Sequence, residues 1–308
     1  TGLGIAFDTP IEGPPTRWLI DNGYLAPVLV YAPPLHLDLR NVRISAGDYV
    51  PSELAAVLDN PLVTEPAVMA YARLAPGRPC IVFCCTVAHA RHVAEQFAAA
   101  GYSAAPVDGK MPDFMRDARL KGLADGSLQV LTSCELISEG TDVPAVEVGI
   151  MLRPTKSMGL FRQQRGRLTR LSPGKTHGLL IDMVGNSLEH GLGDEPLDWS
   201  LGSGDDHRQV PPTRRCGDCF RVGRAEGTVC AACGTRFARR AALPVASDGK
   251  PNRRRVLASF SDDQLKTGRY RTLLRMARTV ADLERIARAK NYSRGWVRVQ
   301  ARELGIAA

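Results

Sequence analysis

From residue 79 onward, short apolar runs alternate with longer stretches in which apolar residues recur every three or four positions. The runs "CIVFCC" (80–85), "SAAPV" (103–107), "LQVLTS" (128–133), "VEVGIML" (146–152) and "HGLLIDMV" (177–184) are too short for packed helices, and most are continuously apolar. That pattern predicts strands covered on both faces. Between them "VAHARHVAEQFAAA" (87–100), "DFMRDARLKGLADG" (113–126) and "SMGLFRQQRGRLTRL" (157–171) carry helical spacing. Strands alternating with helices of this length predict an α/β fold, a parallel sheet crossed by right-handed βαβ connections with helices on both faces. Ligands of such sheets sit at the carboxyl ends of strands, which directs attention to the loops at 84–89, 108–112, 132–142 and 153–157.

The flanks lack this rhythm. Residues 1–50 are rich in Pro and Gly and read as an irregular leading segment, with "APVLVYAPP" (26–34) its main apolar run. Two helical patches fill 52–75, with Ser52 placed to cap the first. Residues 186–212 are polar and Gly-rich and read as a linker, which leaves 51–185 as the regular domain. Four clustered cysteines occupy 213–240, and 241–308 reads as a basic region with helices at 262–291 and 294–305.

Charge sharpens that division. The net charge is +8, but residues 1–212 hold 18 Lys and Arg against 24 Asp and Glu, whereas 213–308 hold 22 against 8. A segment of net +14 on an acidic body points to a polyanion, most simply nucleic acid; the alternative is a solvated arginine-rich helical surface. No apolar run reaches the roughly 18 residues needed to span a bilayer. The chain opens on Thr1 without a secretory leader, and it reads as one piece of a longer cytoplasmic polypeptide.

Cysteine usage divides in the same way. Cys80, Cys84, Cys85 and Cys134 lie in strand-like stretches and read as small buried hydrophobes. Cys216, Cys219, Cys230 and Cys233 form the pattern CxxC-x10-CxxC, which sets two thiolate pairs for one tetrahedral Zn2+. Two disulfides, a redox pair and chance spacing are the other readings. A closed four-thiolate site is structural, with no open position for catalytic water. Its flanking arginines suit nucleic acid or a docked protein.

The twelve residues "LFRQQRGRLTRL" (160–171) hold four arginines. Gln163, Gly166, Arg167 and Arg170 form QxxGRxxR, and on a continuous helix they share one face. Guanidiniums in that arrangement pair with phosphate oxygens. A basic amphipathic helix is the alternative. Together with "CIVFCCTVAHARHVAEQF" and "TSCELISEGTDVPAVEVGIMLRPTKS", this stretch resembles, in the right order, motifs VI, IV and V of the superfamily 2 DEAD/DEAH-type helicases, in particular the RadD-like ones. The likeness covers about 75–185 and implies the second RecA-like domain of such an enzyme.

The resemblance implies roles residue by residue. Arg167 and Arg170 match arginines that reach ATP bound on the first motor domain, with Gln163 at the start of the same motif. Gly140 and Asp142 match the turn that couples nucleotide to nucleic acid. Thr86, Thr132 and Ser133 match positions near the nucleic-acid backbone, although Ser or Thr capping a turn looks identical. The P-loop and acidic box that hold ATP and Mg2+ are missing: "SPGKTH" (172–177) lacks the first P-loop glycine, and "GDDHR" (204–208) lies in a polar linker. The first motor domain is therefore expected in cis or in trans, and the chain alone is expected not to hydrolyse ATP. Residues 251–308 carry 14 Lys and Arg against 5 Asp and Glu, and Arg294 and Arg298 flank Trp296, either as a nucleic-acid contact or around the core of a helical hairpin. The sequence thus predicts the C-terminal part of an ATP-dependent DNA helicase or translocase. The alternatives are a nucleic-acid-binding adaptor without enzymatic activity and the motor subunit of a restriction-type nuclease.

Overall fold

The computed structural model describes residues 11–35, 37–134, 146–196, 212–237, 262–267, 273–274, 277, 279–303 and 306. The chain forms two compact units, Thr1–Phe237 and Ala238–Ala308. In the first, the helices are α1 (Thr16–Asp21), α2 (Pro51–Leu58), α3 (Pro61–Leu74), α4 (Val87–Ala99), α5 (Asp113–Asp125), α6 (Met158–Gly166) and α7 (Asn186–His190). Its strands are β1 (Val28–Tyr31), β2 (Ile44–Ser45), β3 (Asp48–Tyr49), β4 (Cys80–Phe83), β5 (Ala104–Val107), β6 (Val130–Ser133), β7 (Val148–Met151), β8 (Gly178–Asp182), β9 (Thr213–Arg215) and β10 (Arg221–Arg224).

Eight strands make the main sheet, in the order β5-β6-β4-β7-β8-β1-β10-β9. The first six are mutually parallel, and β10 and β9 extend the sheet antiparallel beyond β1. The central strands β4, β6, β7 and β8 are buried along their whole length, as their continuous apolarity requires. One sheet face packs Leu54, Leu58, Ala67, Tyr71, Val93 and Phe97 from α2, α3 and α4. The other packs Leu123, Phe161 and Leu168 from α5 and the α6 segment, together with Val222 of β10. The connection after β4 runs toward β5 and that after β7 toward β8, so the order reverses between β4 and β7.

Four expectations change. The leading segment is not irregular throughout: Val28–Tyr31 pairs in register with Gly178–Ile181. Its flanking Pro27 and Pro33 hide the strand in the sequence but stand outside the ladder, where their missing N–H costs nothing. The supposed linker starts with α7, because the buried Asp182 carboxylate accepts the N–H groups of Gly185 (2.9 Å), Asn186 (3.1 Å) and Ser187 (2.6 Å). Residues 197–211 of that linker lie outside the described residues. The helix α2 begins at Pro51, so Ser52 sits inside its first turn and caps nothing. And the cysteine segment, set apart from the regular domain in the sequence, joins its sheet through the pairs Val30–Val222 and Tyr31–Arg221.

The second unit contains α8 (Asp262–Thr267), α9 (Val280–Lys290) and α10 (Arg294–Glu303). The sequence suggested one helix over 262–291, but Thr279 is extended and caps α9 reciprocally with Asp282. Leu265, Leu283, Ile286 and Val297 form its buried core, with Trp296 packed at the margin. Among the described residues no helix is long and apolar enough to cross a membrane.

Candidate functional site

The helix α6 opens at Ser157, whose hydroxyl accepts the N–H of Leu160 at 3.2 Å. It runs only to Gly166; a 3-10 turn over Arg167–Thr169 follows, and Arg170 is extended with φ −65° and ψ 139°. The reading of Gln163, Gly166, Arg167 and Arg170 as one helical face is corrected accordingly. The cause is Leu168. Fully buried, it lies against Gly149 of β7 and Gly178 of β8, where an added Cβ would stand 2.9 Å from Leu168 Cδ1 and 2.9 Å from Leu168 Cβ respectively. The turn is further tied by Thr169 Oγ1 donating to Gly166 O (2.8 Å) and by Ala26 N–H donating to Thr169 O (2.7 Å). Arg167 and Arg170 therefore flank a residue pinned to the sheet. Gln163 is exposed, Arg170 half-buried and Arg167 buried.

The inner side of α6 carries Arg162 and Arg165, which sequence reading treats as ordinary basic surface. Arg165 is 3% exposed and donates from Nη1 to Gly193 O at 3.3 Å, and Arg162 donates from Nη2 to Glu195 O at 2.7 Å. Burial pulls the Arg165 guanidinium below its ordinary pKa, opposed by the charges of Asp194 and Glu195. The Glu195 carboxylate in turn accepts the N–H groups of Leu192 (2.8 Å) and Gly193 (2.7 Å). Buried Asp194 pairs with Arg17 of α1 and Arg224 of β10, each at 3.4 Å. A loop read as linker thus joins the arginine-bearing helix, the leading segment and the cysteine hairpin. Two glycines and two acids in "GLGDE" were the available signal.

The positions matched to the nucleic-acid grip fare unevenly. Thr86 is the N-cap of α4, accepting His89 N–H at 3.2 Å. Thr132 is a correction: fully buried, it donates to Ala90 O at 2.6 Å and so faces α4 inside the core. Ser133 ends β6 and is buried. Gly140 and Asp142 lie outside the described residues. At the carboxyl end of β7, the loop after Met151 is held by Asp48 of β3, which accepts from Thr155 Oγ1 (2.8 Å) and Lys156 N (2.7 Å). Asn186 holds its other side, accepting Thr155 N–H at 3.1 Å and donating to Arg153 O at 3.0 Å. Lys175 of "SPGKTH" is buried, its ammonium donating to Val146 O at 2.5 Å, and burial pushes its pKa down to about 8. It faces the interior, in keeping with a sequence that only mimics a P-loop.

The four clustered cysteines converge, their sulfurs all within 4.8 Å of one another. Cys216 Sγ lies 3.6 Å from Cys233 Sγ, and Cys219 Sγ lies 3.7 Å from Cys230 Sγ. A tetrahedron of thiolates at about 2.3 Å from Zn2+ has edges of about 3.8 Å, so the donor set and spacing fit that ion. Each pair sits on a turn that closes with a left-handed residue, Phe220 (φ 62°) and Gly234 (φ 73°). Thr235 Oγ1 stands 3.1 Å from Cys233 Sγ. In the second unit Arg294 opens α10 and Arg298 is exposed on it.

Residues 65–172 match the family described as the helicase conserved C-terminal domain. A 51.5 kDa protein of Lactococcus phage (isolate 7-9) is 34% identical over 241 residues, 77% of this chain and 53% of its own length. IRC3 of Saccharomyces cerevisiae, provisionally named an ATP-dependent helicase, is 26% identical over 172 residues, 55% of this chain and 25% of its own. Among solved structures, a fragment provisionally named an HsdR subunit of a type I restriction enzyme from Vibrio vulnificus is 21% identical. That alignment covers 62% of this chain and 39% of the fragment, with a TM-score of 0.46. The chain spans about half the length of the phage relative and a quarter of the yeast one. By its motifs, its parallel sheet and this match, the chain carries a helicase conserved C-terminal domain over residues 65–172.

Proposed function

We propose that the chain is the C-terminal part of an ATP-dependent superfamily 2 DNA helicase or translocase, supplying two arginine fingers and part of the nucleic-acid grip to a first motor domain in cis or in trans. The observation that carries this reading is the extent of the family match: it ends at residue 172, so Gln163, Arg167 and Arg170 all lie within it. When bound between two motor domains, ATP with Mg2+ supplies the phosphoryl group whose departure drives the cycle. The part of this chain is electrostatic. Two guanidiniums held on either side of a pinned Leu168 cost little reorganisation when charge grows at a transferring phosphoryl group, which is how such arginines accelerate hydrolysis. Gln163, exposed one turn earlier on α6, supplies an amide to the same motif.

In the same reading 51–185, completed by β1, is the second RecA-like domain. Cys216, Cys219, Cys230 and Cys233 hold one structural Zn2+, and Arg294 and Arg298 of the basic tail meet nucleic acid. Thr86, Gly140 and Asp142 remain in the proposed grip and Ser133 stays at its margin, while Thr132 is withdrawn. The test compares ATP hydrolysis by residues 1–308 with that of a polypeptide carrying a P-loop motor domain as well. The reading requires no turnover from the first and nucleic-acid-stimulated turnover from the second. Turnover by residues 1–308 alone contradicts it.

A further inference from the structure

Three arginines of the first unit lie over three aromatic rings near the extended edge of its sheet. Arg73, at the end of α3, stands 6.0 Å from the ring centre of Phe220; Arg221 stands 5.3 Å from that of Tyr31, and Arg214 stands 4.7 Å from that of Phe237. Register places them on one side. Tyr31 opposes Arg221 across β1 and β10, Gly223 opposes Arg214 across β10 and β9, and residues 221 and 223 share a face of their strand. That is the face on which Tyr31 joins the core formed with α2, α3 and α4. Between Arg221 and Arg214 the strand carries only Gly223, and a Cβ added there would meet nothing within 4 Å. The strip therefore has an open floor at its centre. Arg73 is exposed, and the other five side chains are half-buried.

A guanidinium held over a ring has already lost some of its rotamer freedom, while its N–H groups can still be given to phosphate oxygens. Lysine has no such geometry. Residues 212–237 hold five arginines against Asp218 and Glu226, and the Asp218 carboxylate is occupied by the Thr235 hydroxyl at 2.8 Å. With a divalent ion among four thiolates the segment is near neutral overall, so attraction arises from the placed guanidiniums, not from bulk charge. Among the described residues the strip lies on a sheet face beside the end of α3, and arginines interleaved with aromatic rings suit a single strand.

We propose that Arg73, Arg214 and Arg221, set over Phe220, Phe237 and Tyr31, form a phosphate-contacting strip for single-stranded nucleic acid, separate from the α6 segment and from the basic tail. The proposal rests on the nucleic-acid part of the reading above. The test is the affinity of the full chain, zinc-loaded, for a labelled oligothymidine over a salt series, with the triple variant Arg73→Ala, Arg214→Ala and Arg221→Ala beside it. Each phosphate contact to a single strand adds about 0.7 to the slope of log affinity against log salt, so the triple variant is expected to lose about 2 of slope and at least about tenfold in affinity at low salt. The triple Arg→Lys variant is expected to regain the slope but not the whole affinity. Arg73→Gln, at an exposed helical position, is expected to lose about 0.7 and covers the case in which the triple variant does not fold. Wild-type slope and affinity in a folded triple variant overturn the strip while leaving the tail as the contact. Absence of binding by the wild-type chain overturns the strip and the nucleic-acid reading together. Loss of polyglutamate binding with oligothymidine binding intact overturns the strip in favour of an acidic protein partner.

Discussion

Leu168 rests so closely on Gly178 that a methyl group at residue 178 would stand 2.9 Å from Leu168 Cβ and closer still to its carbonyl oxygen. The oxygen belongs to the backbone of the turn between Arg167 and Arg170, so relief requires moving that turn off the sheet. Gly178→Ala is expected to destabilise the protein by about 1–3 kcal/mol, the usual cost of overpacking. It is also expected to raise amide exchange across residues 167–170. Chemical denaturation and hydrogen exchange measure both, and a variant within about 0.5 kcal/mol of wild type with unchanged exchange contradicts the pinning.

Gly193 closes the other side of α6. Its φ is +79°, and an added Cβ would lie 2.7 Å from Cδ of buried Arg165. Backbone strain of this kind costs on the order of 1–3 kcal/mol, which is the loss expected for Gly193→Ala. Because Arg165 is the group in the way, Gly193→Ala combined with Arg165→Ala is expected to cost less than the sum of the two single changes. Strict additivity in a double-mutant cycle would show that the two residues do not meet.

One zinc ion per chain is expected at Cys216, Cys219, Cys230 and Cys233, and serine at any of them is expected to abolish stoichiometric binding. Since β10 pairs with β1 through Val30 and Tyr31, loss of the ion is expected to increase exchange at those two residues and at 221–224. Metal analysis of reductively purified protein and exchange before and after chelation check this. Zinc loss that leaves β1 protected would separate the knuckle from the sheet.

Lys175 gives a pH signature. Burial against Val146 O lowers its pKa from 10.5 to about 8, so between those values the unfolded chain binds more protons than the folded one. Stability from this group therefore rises as pH climbs from about 8 toward 10.5. Denaturation at several pH values should show that rise in the wild type relative to Lys175→Met. Parallel pH profiles for the two proteins would refute it.

The parallel core was legible because β4, β6, β7 and β8 are buried on both faces, and continuous apolar runs report that directly. The extension of the sheet was not. Val28–Tyr31 lies among prolines, and β9 and β10 contain four arginines in seven residues, so neither resembles a core strand. The motif around Arg167 and Arg170 was legible as a pattern, but its shape was not: helical spacing continues through Leu168, and the contacts that go with the departure from the helix, on Gly149, Gly178 and Ala26, are distant in sequence. The division of labour among the four arginines was hidden for the same reason. The partners of Arg162 and Arg165 lie 33 and 28 residues away, in a loop whose composition does not say which helix it packs on.

The central claim is that Arg167 and Arg170 act on phosphoryl transfer. It is tested most directly by nucleic-acid-stimulated ATP turnover in the polypeptide that carries both motor domains, with Arg167→Ala, Arg170→Ala and, as control, Arg40→Ala, whose side chain is 86% exposed. Turnover is expected to fall by up to about 10³-fold for each of the first two, toward the lower end of what arginine fingers contribute, with nucleotide affinity changed far less and melting temperature preserved. Arg40→Ala is expected to leave turnover unchanged. If all three variants kept near-wild-type turnover, the two arginines would be basic surface around a pinned leucine, and the proposed mechanism would be wrong.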